Sequence, residues 1–187
     1  MTAQGLRERN KRAAMDQVRR NAFDLMDARG FDSVTVEEIA AASDVSPSTV
    51  YRYFGTKEAL VLSGSRPAQL VERLADDDSK RDAVAAFERA ANEVWGADPA
   101  AEVEIGLADA NEALAQAFER QLLDQRSAVA ERFAARRGKS SAKTKDEALA
   151  AATLGILAQV LIRWRREGGG AERLEKLLSK SLAVVSA

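Results

Sequence analysis

The chain has 187 residues, no cysteine, no histidine and a formal net charge of −1 at pH 7. A chain of this length can bury the core of one or two small domains. The lack of cysteine excludes disulfides and thiolate metal sites, and the lack of histidine removes the commonest metal ligand and general base. We therefore expect no cofactor and no metal. Cysteine-free composition also fits a cytoplasmic protein.

Basic residues are concentrated near the N-terminus, although the net charge of the whole chain is close to zero. They are Arg7, Arg9, Lys11, Arg12, Arg19 and Arg20. We expect residues 1–9 to form a basic, flexible arm that can follow a phosphate backbone or enter a minor groove. A solvated, disordered terminus is the alternative.

The next segment has the apolar spacing of a helix. Its stripe consists of Met15, Val18, Ala22, Leu25 and Met26. Gly30 is predicted to end this helix in a left-handed conformation, with Phe31 packed behind it.

Residues 35–57 read TVEEIAAASDVSPSTVYRYFGTK, which predicts two short helices, a tight turn and the start of a third helix. Thr35 and Glu38 have the spacing of a capping box at the first helix. Ser46 is suited to cap the second helix, and Pro47 occupies its first position, where no backbone N–H is needed. This is the pattern of a helix-turn-helix, whose second helix enters the major groove of DNA.

Polar side chains are predicted on the outer face of that second helix. They are Ser48, Thr49, Tyr51, Arg52 and Tyr53. Hydroxyls, phenols and a guanidinium can bond phosphates and base edges. The alternative is an ordinary helical hairpin whose polar face is only solvated.

The same string resembles the TetR family of bacterial transcriptional regulators. The resemblance rests on Thr-Val-Glu-Glu-Ile-Ala, on Val-Ser-Pro-Ser-Thr-Val-Tyr-Arg-Tyr-Phe, on Lys57, and upstream on Phe23, Leu25 and Arg29-Gly30-Phe31. It covers residues 10–62, with one departure: Asp44 stands where the family usually has glycine. Aspartate tolerates a left-handed backbone better than most residues, so we expect a small cost in stability.

The resemblance implies a double-stranded DNA operator as partner. The residues that would contact it are Thr35, Ser46, Pro47, Ser48, Thr49, Tyr51, Arg52, Tyr53 and Lys57.

The remainder of the chain is also predicted to be helical, so the fold class is all-α. A reader domain over residues 1–64 would be followed by a ligand-binding and dimerisation domain over residues 65–187. The predicted helices of the second part cover residues 68–75, 80–95, 99–109, 112–137, 145–167 and 171–185. The longest apolar run, 154–162, is shorter than the roughly 20 residues of a membrane span, so no membrane partner is expected.

The last two helices carry stripes suited to a homodimer interface. The predicted contacts are Ala152, Gly155, Gln159, Leu174, Leu178 and Leu182. In regulators similar to this chain, two such helices from each subunit form a four-helix interface. Packing of the same stripes within one chain is the alternative.

The intervening helices could enclose a small apolar or amphipathic effector. The candidate contacts are Phe87, Trp95, Leu107, Asn111, Phe118, Leu122, Gln159 and Trp164. The same residues also describe an ordinary helical core.

The sequence therefore predicts a dimeric, ligand-released repressor that binds a palindromic operator. Two other functions stay open. One is a regulator of the same fold without a small-molecule effector, and the other is a helical carrier or enzyme with a vestigial DNA-binding motif. No catalytic motif supports an enzyme, because Ser-His-Asp, HExxH, CxxC and phosphate-loop patterns are missing from the sequence.

Overall fold

The computed structural model describes residues 3–64, 66–77, 82–96 and 98–186. The described residues form eleven α-helices and contain no β-strand, which confirms the all-α prediction. The chain divides into two compact units, Met1–Gly64 and Ser65–Ala187.

The first unit contains four α-helices and a closing turn. They are α1 (Ala3–Arg29), α2 (Val36–Ala42), α3 (Pro47–Phe54), α4 (Lys57–Val61) and a 3₁₀ turn at Leu62–Gly64. One apolar side chain or more from each α-helix is buried in a common core, including Val18, Met26, Ile39, Val50 and Leu60. Burial of these side chains is the main source of stability for helices as short as α2 and α3.

The structure corrects the prediction that residues 1–9 form a flexible arm. α1 begins at Ala3, so the residues from Ala3 to Arg9 are helical. The segment has no proline, and all of its residues except Gly5 are good helix formers, so the helix continues through it. Met1 and Thr2 lie outside the described residues, as does the side chain of Arg7.

The second unit contains the other seven α-helices. They are α5 (Arg66–Asp76), α6 (Ala83–Ala91), α7 (Pro99–Ala110), α8 (Glu112–Asp124), α9 (Arg126–Arg136), α10 (Thr144–Arg166) and α11 (Ala171–Leu182). A π-helical turn at Asn92–Gly96 follows α6, and a 3₁₀ turn at Ala183–Val185 follows α11.

Two breaks in this unit differ from the sequence-based helices. The helix predicted over residues 112–137 is divided at Gln125, whose N–H donates to Leu122 O at 3.0 Å. No glycine or proline marks this break; Leu122 and Val129 are both fully buried on either side of it, so tertiary packing sets the direction of each half. The helix predicted over residues 80–95 ends in the π turn, and Lys80 lies outside the described residues.

α10 is the central helix of the second unit and packs against α7, α8, α9 and α11. By length and composition it could also cross a membrane, because its most apolar window has a mean hydropathy of 1.3. Its inner face, however, places Leu154, Leu157, Leu161 and Trp164 in the core. The helix is therefore explained as the core helix of this unit.

Three consecutive glycines connect α10 to α11. Gly168, Gly169 and Gly170 have φ values of 97°, 69° and 87°, a region that favours glycine. The turn is fastened from two sides: Trp164 Nε1 donates to Gly170 O at 2.8 Å, and the Gly170 N–H donates to a carboxylate oxygen of Glu102 at 3.0 Å.

The turn between α2 and α3 depends on one strained residue. Asp44 has a φ of 53°, in the left-handed region. Among the residues that the structure describes, it is the one residue other than glycine with this backbone conformation. Val45 N then donates to Ala40 O at 3.0 Å, which closes the turn. The aspartate is exposed, so the strain has no compensating contact from a buried side chain.

We predict that Asp44→Gly stabilises the first unit by about 0.5–1 kcal/mol. The left-handed conformation costs a non-glycine residue about 1–2 kcal/mol, and glycine removes this cost. Glycine also has more conformational entropy in the unfolded chain, which lowers the gain by about 0.5–1 kcal/mol. Thermal unfolding followed by circular dichroism measures the change. Gly30→Ala is the matched control: its φ of 83° should make the same measurement fall. A lower Tm for Asp44→Gly would contradict the strain argument.

Candidate nucleic-acid interface

The helix-turn-helix is held in shape by its caps. Thr35 Oγ1 accepts from Glu38 N at 3.2 Å, and Glu38 Oε2 accepts from Thr35 N at 2.8 Å, which confirms the predicted capping box. At α3, Ser46 Oγ accepts from Thr49 N at 3.2 Å, and Pro47 is the first helical residue. These bonds satisfy backbone N–H groups that a helix start otherwise leaves unpaired.

An ion pair joins the end of α1 to the start of α2. Arg29 Nη1 lies 2.9 Å from Glu38 Oε1, and Arg29 Nη2 donates to Ser33 O at 2.8 Å. The backbone N–H of Thr35, and then the Arg29 guanidinium, hold the pKa of the Glu38 carboxyl below its usual value. Glu38 therefore keeps its charge, and so the cap, at neutral pH.

α3 buries one side of itself and exposes the other. Val50 is buried beneath it, whereas Ser48, Arg52 and both tyrosines are exposed. Tyr51 and Tyr53 are 48% and 44% exposed, which is unusual for such large side chains. Exposed apolar surface of this kind, mixed with hydroxyls and a cation, indicates a contact surface.

The hydroxyls at the start of α3 form a small cluster. Ser46 Oγ shares hydrogen bonds of 2.9 Å with Ser48 Oγ and with Thr49 Oγ1. A hydroxyl can donate one hydrogen bond and accept two, so Ser48 and Thr49 retain bonding capacity toward a partner. The cluster also fixes their rotamers, which reduces the entropy lost on binding.

Tyr53 is placed by neighbours from α1 and from its own helix. Lys11 Nζ lies 5.4 Å from the centroid of its ring, and the Phe54 ring packs against it edge-on at 4.9 Å. The cation and the phenol thus share one surface, where both can meet a phosphate.

Lys57 is a structural cation in this fold, a role that the sequence did not reveal. Its ammonium donates to Phe31 O at 2.7 Å and to Val34 O at 2.9 Å, and it lies 4.1 Å from the centroid of the Phe31 ring. Two of its three N–H groups are therefore used within the chain, and at most one is left for a phosphate. The expected contact of Lys57 with DNA stays a prediction, limited to that group.

The predicted leucine contacts of a dimer are corrected by the structure. Leu174, Leu178 and Leu182 are at most 1% exposed, because the rest of the second unit already covers them. A partner helix could reach them only if the chain opened.

A different face of α10 and α11 is open. We call it the outer groove; it is lined by Ala151, Ala152, Gly155, Ile156, Gln159, Val160, Arg163 and Ser181. An added Cβ on Gly155 would meet no atom within 4 Å. Three predicted interface residues, Ala152, Gly155 and Gln159, belong to this groove.

The residues predicted to contact an effector do not all lie together. Gln159 is exposed in the outer groove, on the side of α10 away from the core, so its assignment to an internal pocket is wrong. Asn111 is occupied as the cap of α8, where its side chain accepts from Leu114 N at 3.1 Å. The other candidates are buried in the second unit: Phe87, Trp95, Leu107, Phe118, Leu122 and Trp164.

Among the residues that the structure describes, no three acidic side chains are grouped closely enough to hold a metal ion.

The helix-turn-helix segment is similar in sequence to known transcriptional regulators. The sequence profile of "bacterial regulatory proteins, tetR family" matches residues 19–63. The HTH-type transcriptional regulator TcmR of Streptomyces glaucescens is 44% identical over 59 residues, which are 32% of this chain and 26% of TcmR. The chain thus matches only about a quarter of the length of that relative.

Solved structures extend the likeness to the whole fold. A Syntrophomonas wolfei protein assigned to the TetR family has a TM-score of 0.69 at 17% identity, with 95% of this chain and 97% of the other covered. Thermus thermophilus FadR, a TetR-family repressor solved with lauroyl-CoA, has a TM-score of 0.56 at 22% identity, with 90% and 93% covered. At these identities the likeness shows the fold alone. These matched proteins are all named as transcriptional regulators.

We predict that Lys57→Met lowers the stability of the first unit by about 1–3 kcal/mol, because two carbonyls lose their donor while the aliphatic stem stays in place. The variant should bind all duplexes more weakly. Thermal unfolding and fluorescence anisotropy with labelled duplex give the two measurements. Arg29→Met is the control, since its exposed pair should contribute less. An unchanged Tm for Lys57→Met would show that Lys57 does not stabilise the first unit.

Proposed function

We propose that this chain, which belongs to the TetR family of bacterial transcriptional regulators, is a cytoplasmic repressor that binds double-stranded DNA through α3. The observation that carries the proposal is the exposed face of α3, with its ordered hydroxyls, its two tyrosines and Arg52 above a buried Val50. An eight-residue helix with these groups outward fits a major groove.

The two kinds of DNA contact would come from different ends of this surface. Ser48, Thr49 and Arg52 are suited to base edges, because a hydroxyl or guanidinium can read acceptors in the major groove. Tyr51 and Tyr53, with Lys11 beside the second ring, are suited to phosphates. Pro47 and Thr35 would position the backbone at each helix start.

We propose further that two copies associate through the outer groove. Its centre is Gly155, where the absence of a side chain leaves space for a crossing helix. Val184, 73% exposed in the turn after α11, adds apolar surface at the C-terminal end of the chain. A two-fold pair would place two α3 helices against two half-sites, so the operator would be palindromic.

An apolar or amphipathic effector would release the operator. Large buried side chains from α6, α7, α8 and α10 supply apolar walls in the second unit. The fold is shared with FadR, which was solved with lauroyl-CoA, and this supports an acyl-type molecule as one class to test. If the effector prefers the released state by ~1–3 kcal/mol, operator affinity falls ~5–150-fold.

Selection of bound fragments from random duplex DNA tests the function directly. The purified chain should enrich a palindromic motif, and its binding should weaken steeply with salt. A protein that enriches no motif and shows no salt-sensitive binding would instead be a carrier or enzyme with a vestigial motif. A regulator without an effector would bind the motif and respond to no small molecule.

We predict that Ser48→Ala and Thr49→Val each weaken binding to the selected motif by ~1–3 kcal/mol and leave binding to random duplex nearly unchanged. The reason is that a lost base contact removes discrimination and not phosphate attraction. Tyr51→Phe is the control, because loss of a phosphate contact should weaken both duplexes alike. An unchanged motif after both substitutions would place base reading elsewhere, for example on α1.

We predict that Gly155→Arg gives a folded monomer whose operator affinity is lower by roughly 100-fold or more, because linked binding of two half-sites is lost. The arginine has open space within one chain, so the fold should be unaffected. Light scattering and anisotropy measure the two effects. Ala113→Arg, on the exposed side of α8, is the matched control and should stay dimeric. A normal Gly155→Arg dimer would exclude the outer groove.

A further inference from the structure

The π turn at Asn92–Gly96 carries two buried polar atoms that have no hydrogen-bond partner among the residues that the structure describes. Trp95 is fully buried, and its Nε1 has no acceptor. Asn92 Oδ1 is also buried and has no donor. Single π turns are uncommon and occur frequently at functional sites. Unpaired buried polar atoms are equally uncommon, so each requires a physical explanation.

The second tryptophan shows that this fold can satisfy a buried indole. Trp164 is also buried, yet its Nε1 donates to Gly170 O at 2.8 Å. Trp95 lies in the same unit, but its N–H loses its hydration on burial and gains no hydrogen bond to a described residue in exchange. Packing alone therefore does not account for a tryptophan at position 95, since phenylalanine would fill an apolar site without leaving a donor unpaired.

Gly96 allows Asn92 and the start of α11 to pack closely against the π turn. A Cβ added to Gly96 would lie 2.8 Å from Asn92 Oδ1 and 3.5 Å from Cα of Ala171, the first residue of α11. A larger residue at position 96 would clash with this oxygen unless the Asn92 side chain moved, so glycine fixes where Asn92 Oδ1 lies. The sequence thus provides an acceptor, a donor and a minimal side chain within five residues.

We propose that the π turn is the recognition point of the effector, and that it takes a neutral amphipathic molecule with a carbonyl oxygen, which accepts from Trp95 Nε1. A hydroxyl or N–H on the same molecule would donate to Asn92 Oδ1. This inference rests on the proposed ligand-released repressor, for which it specifies the ligand chemistry.

Neutrality of the ligand follows from the charges around the turn. Arg66, 3% exposed, donates from Nε to Glu104 Oε2 at 3.0 Å and from Nη2 to Asp98 Oδ2 at 2.8 Å. The two carboxylates outnumber the one guanidinium, so Arg66 has no positive charge left to compensate a ligand carboxylate. A ligand carboxylate would enter as an uncompensated buried charge, which is strongly unfavourable.

The same arginine connects the π turn to the start of the second unit. Arg66 Nη1 donates to Val94 O at 3.1 Å, so a backbone carbonyl of the turn is held by the first residue of α5. Arg66 comes two positions after Gly64, where the first unit ends. A ligand that changes the geometry of the turn would therefore act on Arg66, at the start of the second unit.

The test uses the full-length protein labelled with ¹⁵N at its two tryptophans. The two indole cross-peaks are assigned with Trp95→Phe and Trp164→Phe. The protein is titrated with 2-nonanone, with 2-tridecanone and with nonane, which has no acceptor. We expect either ketone to move the Trp95 cross-peak downfield in a saturable way, with nonane producing no comparable shift. If neither ketone moves it, or if nonane moves it equally, the proposal is overturned.

The two variants provide the second measurement. Both remove the indole N–H and the same volume, so their difference reports the hydrogen bond. Trp95→Phe should bind the ketone at least tenfold more weakly and lose less thermal stability than Trp164→Phe, which should retain ketone binding. Equal losses of stability would mean that Trp95 Nε1 has a structural partner, which overturns the proposal.

DNA binding measured on the same samples separates the two hypotheses. If the wild-type protein binds its selected motif but no ketone, the ligand proposal is overturned and the DNA-binding function stands. Wild-type protein that binds no motif loses the proposed function, whatever the ketones do.

Discussion

The ammonium of Lys57 is the interaction on which the geometry of the reader depends. It holds the carbonyls of Phe31 and Val34, which belong to the connection between α1 and α2, while its own backbone starts α4. One cation thereby joins the beginning and the end of the helix-turn-helix. The exposed face of α3 can be presented to DNA only if this frame is rigid, because base contacts require side chains held within a fraction of an ångström.

Local chemistry made the first unit predictable from the sequence. Caps at Thr35 and Ser46, a proline at the first position of α3 and a left-handed Gly30 act within a few residues, so their sequence pattern carries their geometry. The role of Lys57 was not predictable in this way, because its partners lie 23 and 26 residues earlier in the chain.

Longer-range packing explains the misses in the second unit. The break at Gln125 has no breaker residue, and the helical spacing of residues 80–95 did not indicate the π turn. The leucine stripe of α11 showed correctly that one face is buried, but periodicity cannot say whether the covering helix comes from the same chain. Here α10 and the π turn cover it, so the surface available to a second copy lies on the opposite side of α10.

The buried ion pair of Arg66 and Glu104, which the half-exposed Asp98 joins from the surface, has a consequence for how this protein can change over evolutionary time. Removal of one charge from a buried pair leaves the other uncompensated, whereas replacement of the whole set by apolar residues can be neutral or favourable. A single substitution at Arg66 or Glu104 should therefore lower stability, and sequences that keep the fold should change the two residues together. Since the pair also holds Val94 O, a lineage that exchanged it for an apolar core would need a new donor for that carbonyl. Arg66, Glu104 and the π turn should thus evolve together, more slowly than the solvated faces around them.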